Sequence, residues 1–138
     1  MESFFNSPGA TILRHFTVEE VNDLIPTLEQ LVRQLQAQQT LMGTEYADIE
    51  TLREMVRHNG GHARGGPYLG ELAQFAGLIE DLHSHGCLLK DIVKGLIDFP
   101  ALKDGREIYL CWMMGEESVE WWHERETGFA GRKPIDTL

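Results

Sequence analysis

Arginine, carboxylate, histidine and tryptophan side chains crowd the last third of this chain, a mixture that packing alone does not require. Asp98, Arg106, Glu116, His123 and Arg132 are its polar members. Arg106 and Arg132 can each clamp a carboxylate or phosphate through paired N–H donors. His123 changes charge near neutral pH, so with one carboxylate it can form an acid/base pair or supply two metal ligands. Trp112, Trp121 and Trp122 can line a pocket around such a site. Each residue also has a plainer use. Arg106 can fix a turn by pairing with Asp98 or Asp104, His123 can pack within a strand, and strand tryptophans fill cores.

A second group of donors is His83, His85 and Cys87, with His58 and His62 upstream. Imidazole and thiolate both suit zinc or nickel, so a divalent transition metal is the one cofactor these residues suggest. On a continuous helix, residues two apart point about 200° away from each other. His83 and His85 therefore converge only if the helix ends between them. The stretch Asn59 to Pro67 holds four glycines and a proline in nine residues. It lacks the Gly-Lys-Ser/Thr ending of a phosphate-binding loop, and it reads as a connection between helices. No Gly-x-Ser-x-Gly elbow and no Cys-x-x-Cys occurs, so the common hydrolase and redox signatures are missing.

Composition narrows the partners. The chain has 138 residues, with 12 Lys plus Arg against 22 Asp plus Glu, a formal net charge of -10. Such a charge disfavours nucleic acid or an anionic membrane surface as the main partner. Apolar residues make up 42% and charged residues 25%, an ordinary globular balance, and the length suits one domain over residues 1–138. No apolar run approaches the roughly 20 residues that span a bilayer. Met1 to Ala10 carries Glu2 and no basic residue, which does not fit a signal peptide. Two cysteines, Cys87 and Cys111, make no disulfide framework, so free thiols and a cytoplasmic location are expected. The acidic residues Glu107, Glu116, Glu117, Glu120, Glu124 and Glu126 around the last hairpin can face solvent or dock a basic partner.

The elements that must position these side chains can be read from spacing. Thr17 and Glu20 form a capping box, with Phe16 and Val21 placed as a hydrophobic staple. A heptad series follows: Val21, Leu28, Leu35, Met42, Ile49 and Val56. The interleaved series Leu24, Leu31, Gln38, Glu45, Leu52 includes two polar members, which implies a seam that is partly exposed or meets a partner there. Pro26 should kink or restart the helix, and Gly43 weakens it by about 1 kcal/mol relative to Ala. After the loop at 59–67, Leu69, Leu72, Phe75, Ala76, Ile79 and Leu82 mark a second helix ending near Gly86. Residues 18–85 thus form an antiparallel helical hairpin. The first helix spans some 40 residues and the second about 18, a mismatch that suggests a homodimer or a protein partner along the long helix.

A β-meander is expected over 95–124, with a tail at 125–138. Leu96 to Phe99 is a β-prone run stopped by Pro100, Asp104-Gly105 is a hairpin turn, and Glu107 to Met113 pairs with Val119 to His123. A four-residue connection puts Trp112 opposite Val119, Leu110 opposite Trp121 and Ile108 opposite His123. Tyr109, Cys111 and Trp122 then occupy the other face, which disfavours a Cys111–His123 pair. A slip of one residue reverses the second strand's contribution.

The string from Gly95 through Phe99-Pro100, Asp104-Gly105-Arg106-Glu107, Tyr109-Leu110-Cys111-Trp112, Gly115-Glu116 and Trp122-His123 to Gly128-Phe129-Ala130-Gly131-Arg132 carries a resemblance. Together with Phe16-Thr17, Glu19-Glu20, Asn22 and Pro26, it resembles the bacterial domain-of-unknown-function family DUF2203 over nearly the whole chain. Glu117 stands where that pattern commonly has proline. The resemblance implies a shared fold and no particular activity. The sequence therefore reads as α+β, a long kinked antiparallel helical hairpin with a small C-terminal antiparallel β-meander. The leading function is a non-catalytic interaction or accessory protein that assembles through its long helices and binds at the sheet. The rivals are a small-ligand or metal-dependent enzyme using Asp98, Arg106, Trp112, Glu116, Trp122, His123 and Arg132, and a metal-handling protein using His83, His85 and Cys87.

Overall fold

A computed structural model describes residues 14–42 and 69–138. Helix α1 covers Val18–Met42. It starts at the expected capping box: the Thr17 N–H donates to Glu20 Oε1 at 2.9 Å, and the Glu20 N–H donates to Thr17 Oγ1 at 3.1 Å. Phe16 and Val21 are both buried in the core, completing the staple. Helix α1 continues through Pro26 instead of restarting there. Val21, Ile25, Leu28, Val32 and Leu35, at alternating steps of four and three, are its buried face. Leu24 and Leu31 are half-buried beside that core, and Gln38 is buried, not exposed. The expected continuation to residue 57, with Gly43, Glu45, Ile49, Leu52 and Val56, and the Gly-rich loop 59–67 lie outside the described residues.

Helix α2, Leu69–His83, buries Leu72, Phe75, Ile79 and Leu82. It closes through the Gly86 N–H donating to the His83 carbonyl at 2.8 Å, with Gly86 at φ 94°, where a side chain would be strained. A Cβ on Gly86 would also lie 3.1 Å from the Arg14 side chain. The end of α2 thus meets the start of α1.

Five strands follow: β1 (Leu88–Asp91), β2 (Leu96–Lys103), β3 (Arg106–Met113), β4 (Trp121–Glu124) and β5 (Lys133–Pro134). They form one antiparallel sheet in the order β1-β2-β3-β4-β5. The expected meander is therefore present and larger. It gains β1 ahead of it, and β5 comes from the stretch read as a tail. Asp104 and Gly105 have φ of 53° and 78°, as a two-residue hairpin turn of the primed type requires, and they join the Lys103–Arg106 pair. Pro100 does not stop β2, which continues to Lys103. The Pro100 carbonyl accepts the Phe16 N–H at 2.7 Å, on the side away from β3. A strand residue's N and carbonyl point the same way, so the donor that proline lacks is not one the β2–β3 ladder needs.

The register of the last hairpin differs by one residue from the expected one. Ile108 faces Glu124, Tyr109 faces His123, Leu110 faces Trp122, and Cys111 faces Trp121. Val119 does not enter the ladder, because its N–H donates to Asn22 Oδ1 on α1 at 2.8 Å. The Met113 N–H is likewise taken by Glu116 Oε1 at 2.8 Å. The connection between β3 and β4 is consequently longer than four residues, and every β4 side chain changes face. Ile97, Phe99, Ala101, Ile108, Leu110, Trp112 and Trp122 pack with the helices, while Asp98, Tyr109, Cys111 and His123 share the opposite face. Among the described residues, no helix is long and apolar enough to cross a membrane.

Candidate metal centre

Three adjacent strands bring Asp98 of β2, Cys111 of β3 and His123 of β4 together on the sheet face away from the helices. Asp98 and Cys111 are direct cross-strand partners, and His123 lies one diagonal step from Cys111. One donor atom from each lies within 4.8 Å of the other two. All three residues are buried, and the side chains of His123 and Asp98 are only 3% and 5% exposed. The expected separation of Cys111 from His123 is thus corrected: the one-residue slip places them on one face.

The hydrogen bonds of His123 settle its tautomer. Nδ1 lies 2.7 Å from the Glu124 carbonyl oxygen, which can only accept, so Nδ1 carries a proton. Nε2 lies 3.1 Å from Asp98 Oδ2, yet without the alignment of a hydrogen bond, and Asp98 Oδ1 also has no partner among the described residues. In neutral imidazole, Nε2 would present a lone pair to a carboxylate oxygen, which is repulsive. A proton or another cation must sit between them. Burial alone would push the His123 pKa down, but the Asp98 carboxylate and the Glu124 carbonyl outweigh it and hold the group above its ordinary value of 6.5. Cys111 moves the other way: burial, reinforced by the Asp98 charge, pushes its thiol up to about 12. A neutral thiol beside a carboxylate is a poor nucleophile.

The remaining candidate side chains are engaged by other partners, and Arg132 adjoins the cluster, its Nη2 donating to the Cys111 carbonyl at 3.4 Å. Arg106 pairs with Glu124 across the sheet, not with Asp98 or Asp104. Glu116 and Arg132 form a second pair, with Arg132 Nη2 donating to Oε2 at 2.9 Å and Oε1 at 3.1 Å. Those side chains are 16% and 12% exposed, and Arg132 also lies over the rings of Trp121 and Phe129. The pair ties the β3–β4 connection to the segment before β5. Trp112 is fully buried, with Nε1 donating to the Glu116 carbonyl at 2.8 Å, and Trp122 donates to Thr137 Oγ1 at 3.0 Å. Both tryptophans belong to the core on the helix side.

His83, His85 and Cys87 do not converge in the structure. Cys87 is inside the core, its thiol donating to the Leu82 carbonyl at 3.4 Å and pushed up to about 12 by burial. His85 borders an open groove of about 460 Å³ with Asp81, Ser84, Thr27, Gln30, Leu31 and Gln34. His58 and His62 lie outside the described residues. Sequence reasoning disfavours Cys111 as a donor beside His123, and the signal that points to it is the register alternative, the slip of one residue.

The family model for an uncharacterised conserved protein, DUF2203, matches residues 14–135, and the chain belongs to that family. No curated protein and no solved structure matches the chain.

Proposed function

We propose that this member of an uncharacterised family is a non-catalytic accessory protein that assembles through α1. One observation carries the reading: among the candidate residues of the sheet, no side chain is both reactive and accessible. Asp98, Cys111 and His123 are buried, the Cys111 and Cys87 thiols are held neutral, and Arg106 and Arg132 are engaged by Glu124 and Glu116. A substrate must touch the groups that transform it. An enzyme site built from Asp98, Arg106, Glu116, His123 and Arg132 would need one open pocket, whereas Arg106 is drawn off to Glu124, and Arg132, beside the Cys111 backbone, is closed against Glu116.

Assembly rests on the outward side of α1. Val21, Leu28 and Leu35 are consumed by the chain's own core, so the contact surface is the half-buried Leu24 and Leu31, continued by Leu41 at 75% exposure. The groove beside Leu31 supplies a polar margin. A second copy of the chain is the partner we favour, and the two reduced, buried cysteines support a cytoplasmic setting. Light scattering tests this reading. The wild type should have twice the 15.7 kDa chain mass, and Leu31→Glu with Leu41→Glu should give a folded monomer. A monomeric wild type at high micromolar concentration would refute it.

A further inference from the structure

The geometry points to a specific site for one divalent transition ion of the zinc class, held by Asp98 Oδ, Cys111 Sγ and His123 Nε2 and bridging β2, β3 and β4. The inference goes beyond assembly, and it stands on the donor set and its surroundings. The nitrogen nearest the cluster is Nε2, because Nδ1–H is already donating to the Glu124 carbonyl. That backbone contact is the outer-shell arrangement which orients a histidine ligand and leaves its other nitrogen for a metal. Nε2 and Asp98 Oδ2 are 3.1 Å apart. Two donors about 2.0–2.1 Å from a tetrahedral ion lie roughly 3.3 Å from each other, so this pair is already spaced for one. The three donor atoms lie within 4.8 Å of each other, so one ion between them is within reach of all three.

The donor set also selects the ion. One sulfur, one imidazole nitrogen and one carboxylate oxygen suit zinc, cobalt(II) or nickel(II), whereas magnesium and calcium need shells of oxygen. Charge also fits: a dication bound by one carboxylate, one thiolate and one neutral imidazole leaves the cluster neutral, and the protons it displaces pass to solvent. A fourth, small ligand such as water completes the tetrahedron. Because the ligands come from three neighbouring strands, the ion acts as a cross-link within the sheet.

The experiment uses the full chain, stripped with chelator and titrated with cobalt(II). The expected result is the strong visible absorption of tetrahedral cobalt with a sulfur-to-cobalt charge-transfer band, saturating at one ion per chain and abolished by zinc. Cys111→Ser should remove the charge-transfer band, and Asp98→Asn should weaken binding tenfold or more. His85→Ala and Cys87→Ser should change neither. Zinc at about a hundred times its dissociation constant should raise Tm by about 9 °C. Cobalt that stays octahedral with the folded wild type overturns the site, with no variant needed. A signal that survives Cys111→Ser and vanishes in His85→Ala or Cys87→Ser overturns it in favour of the end of α2. The mass of the particle is a separate readout, so failure of assembly and failure of metal binding are distinguishable.

Discussion

Trp112 and Cys111 are neighbours on β3, both fully buried, yet they face opposite environments. Trp112 joins Phe99, Leu110 and Trp122 against the helices, where removal of apolar area from water is the stabilising term. Cys111 sits with Asp98 and His123, where a buried charge must find its counterpart or be neutralised. Equal burial thus conceals two kinds of energetics. On the helix side a residue can be exchanged for another of similar size at modest cost. On the far side the residues matter as a set, and losing one exposes the others to the low dielectric unpaired.

That contrast can be broken or sharpened by substitution. Trp112→Ala should have the largest effect, a loss of about 3–5 kcal/mol in urea unfolding, from the cavity and lost apolar contact. Asp98→Ala should cost about 3 kcal/mol in the metal-free protein, because it takes away the buried imidazole's partner and forces it to give up its proton or stay unpaired. The distinguishing result is the double variant Asp98→Ala/His123→Ala, expected to be less destabilised than the sum of the two singles by about 1–2 kcal/mol. Strict additivity would mean the far face is only packed, like the near one. Glu116→Gln should cost about 1 kcal/mol, since it keeps an acceptor for the Met113 N–H and loses the charge facing Arg132.

Smaller still is a pH effect carried by His123 in metal-free protein. Its folded-state value is raised above the ordinary 6.5, so the stabilisation is complete below 6.5 and is lost as pH rises through the folded value. The stability difference between wild type and His123→Gln should therefore narrow on going from acid to mildly alkaline conditions. A gap that is constant across that range would show that no proton is shared there. At the bottom of the scale, thiols held near 12 should leave Cys87 and Cys111 unmodified by iodoacetamide in native protein at mildly alkaline pH. Both should react once the chain is unfolded, and mass spectrometry counts them.

Features set by contacts close in sequence were legible beforehand. The Thr17–Glu20 capping box, the Phe16–Val21 staple, the Asp104-Gly105 turn and the α+β division of the chain are of this kind, and the family resemblance was carried by residues spread over both halves. The register of the last hairpin was not. Ile108 to Trp112 is apolar on both faces, and Trp121 and Trp122 are interchangeable as core residues, so alternation offers no contrast to choose by. The choice is made by Asn22, 97 residues away in sequence, which takes the N–H of Val119. The candidate site was half legible for the same reason. Residue type singles out Asp98 and His123 but not Cys111, and it groups Arg106, Glu116 and Arg132 with them although these side chains pair with one another or with Glu124. The two short strands β1 and β5 went unread because four and two residues carry too little pattern.

The proline in β2 has one more consequence. Beyond Asp98, β1 has run out, and the flank of β2 would present free amide and carbonyl groups. Pro100 offers no amide there, and the backbone of Phe16 occupies its carbonyl. A second chain arriving edge-on at Pro100 would find neither a donor nor a free acceptor there, so β2 is guarded against templating aggregation at the place where its own neighbour stops short.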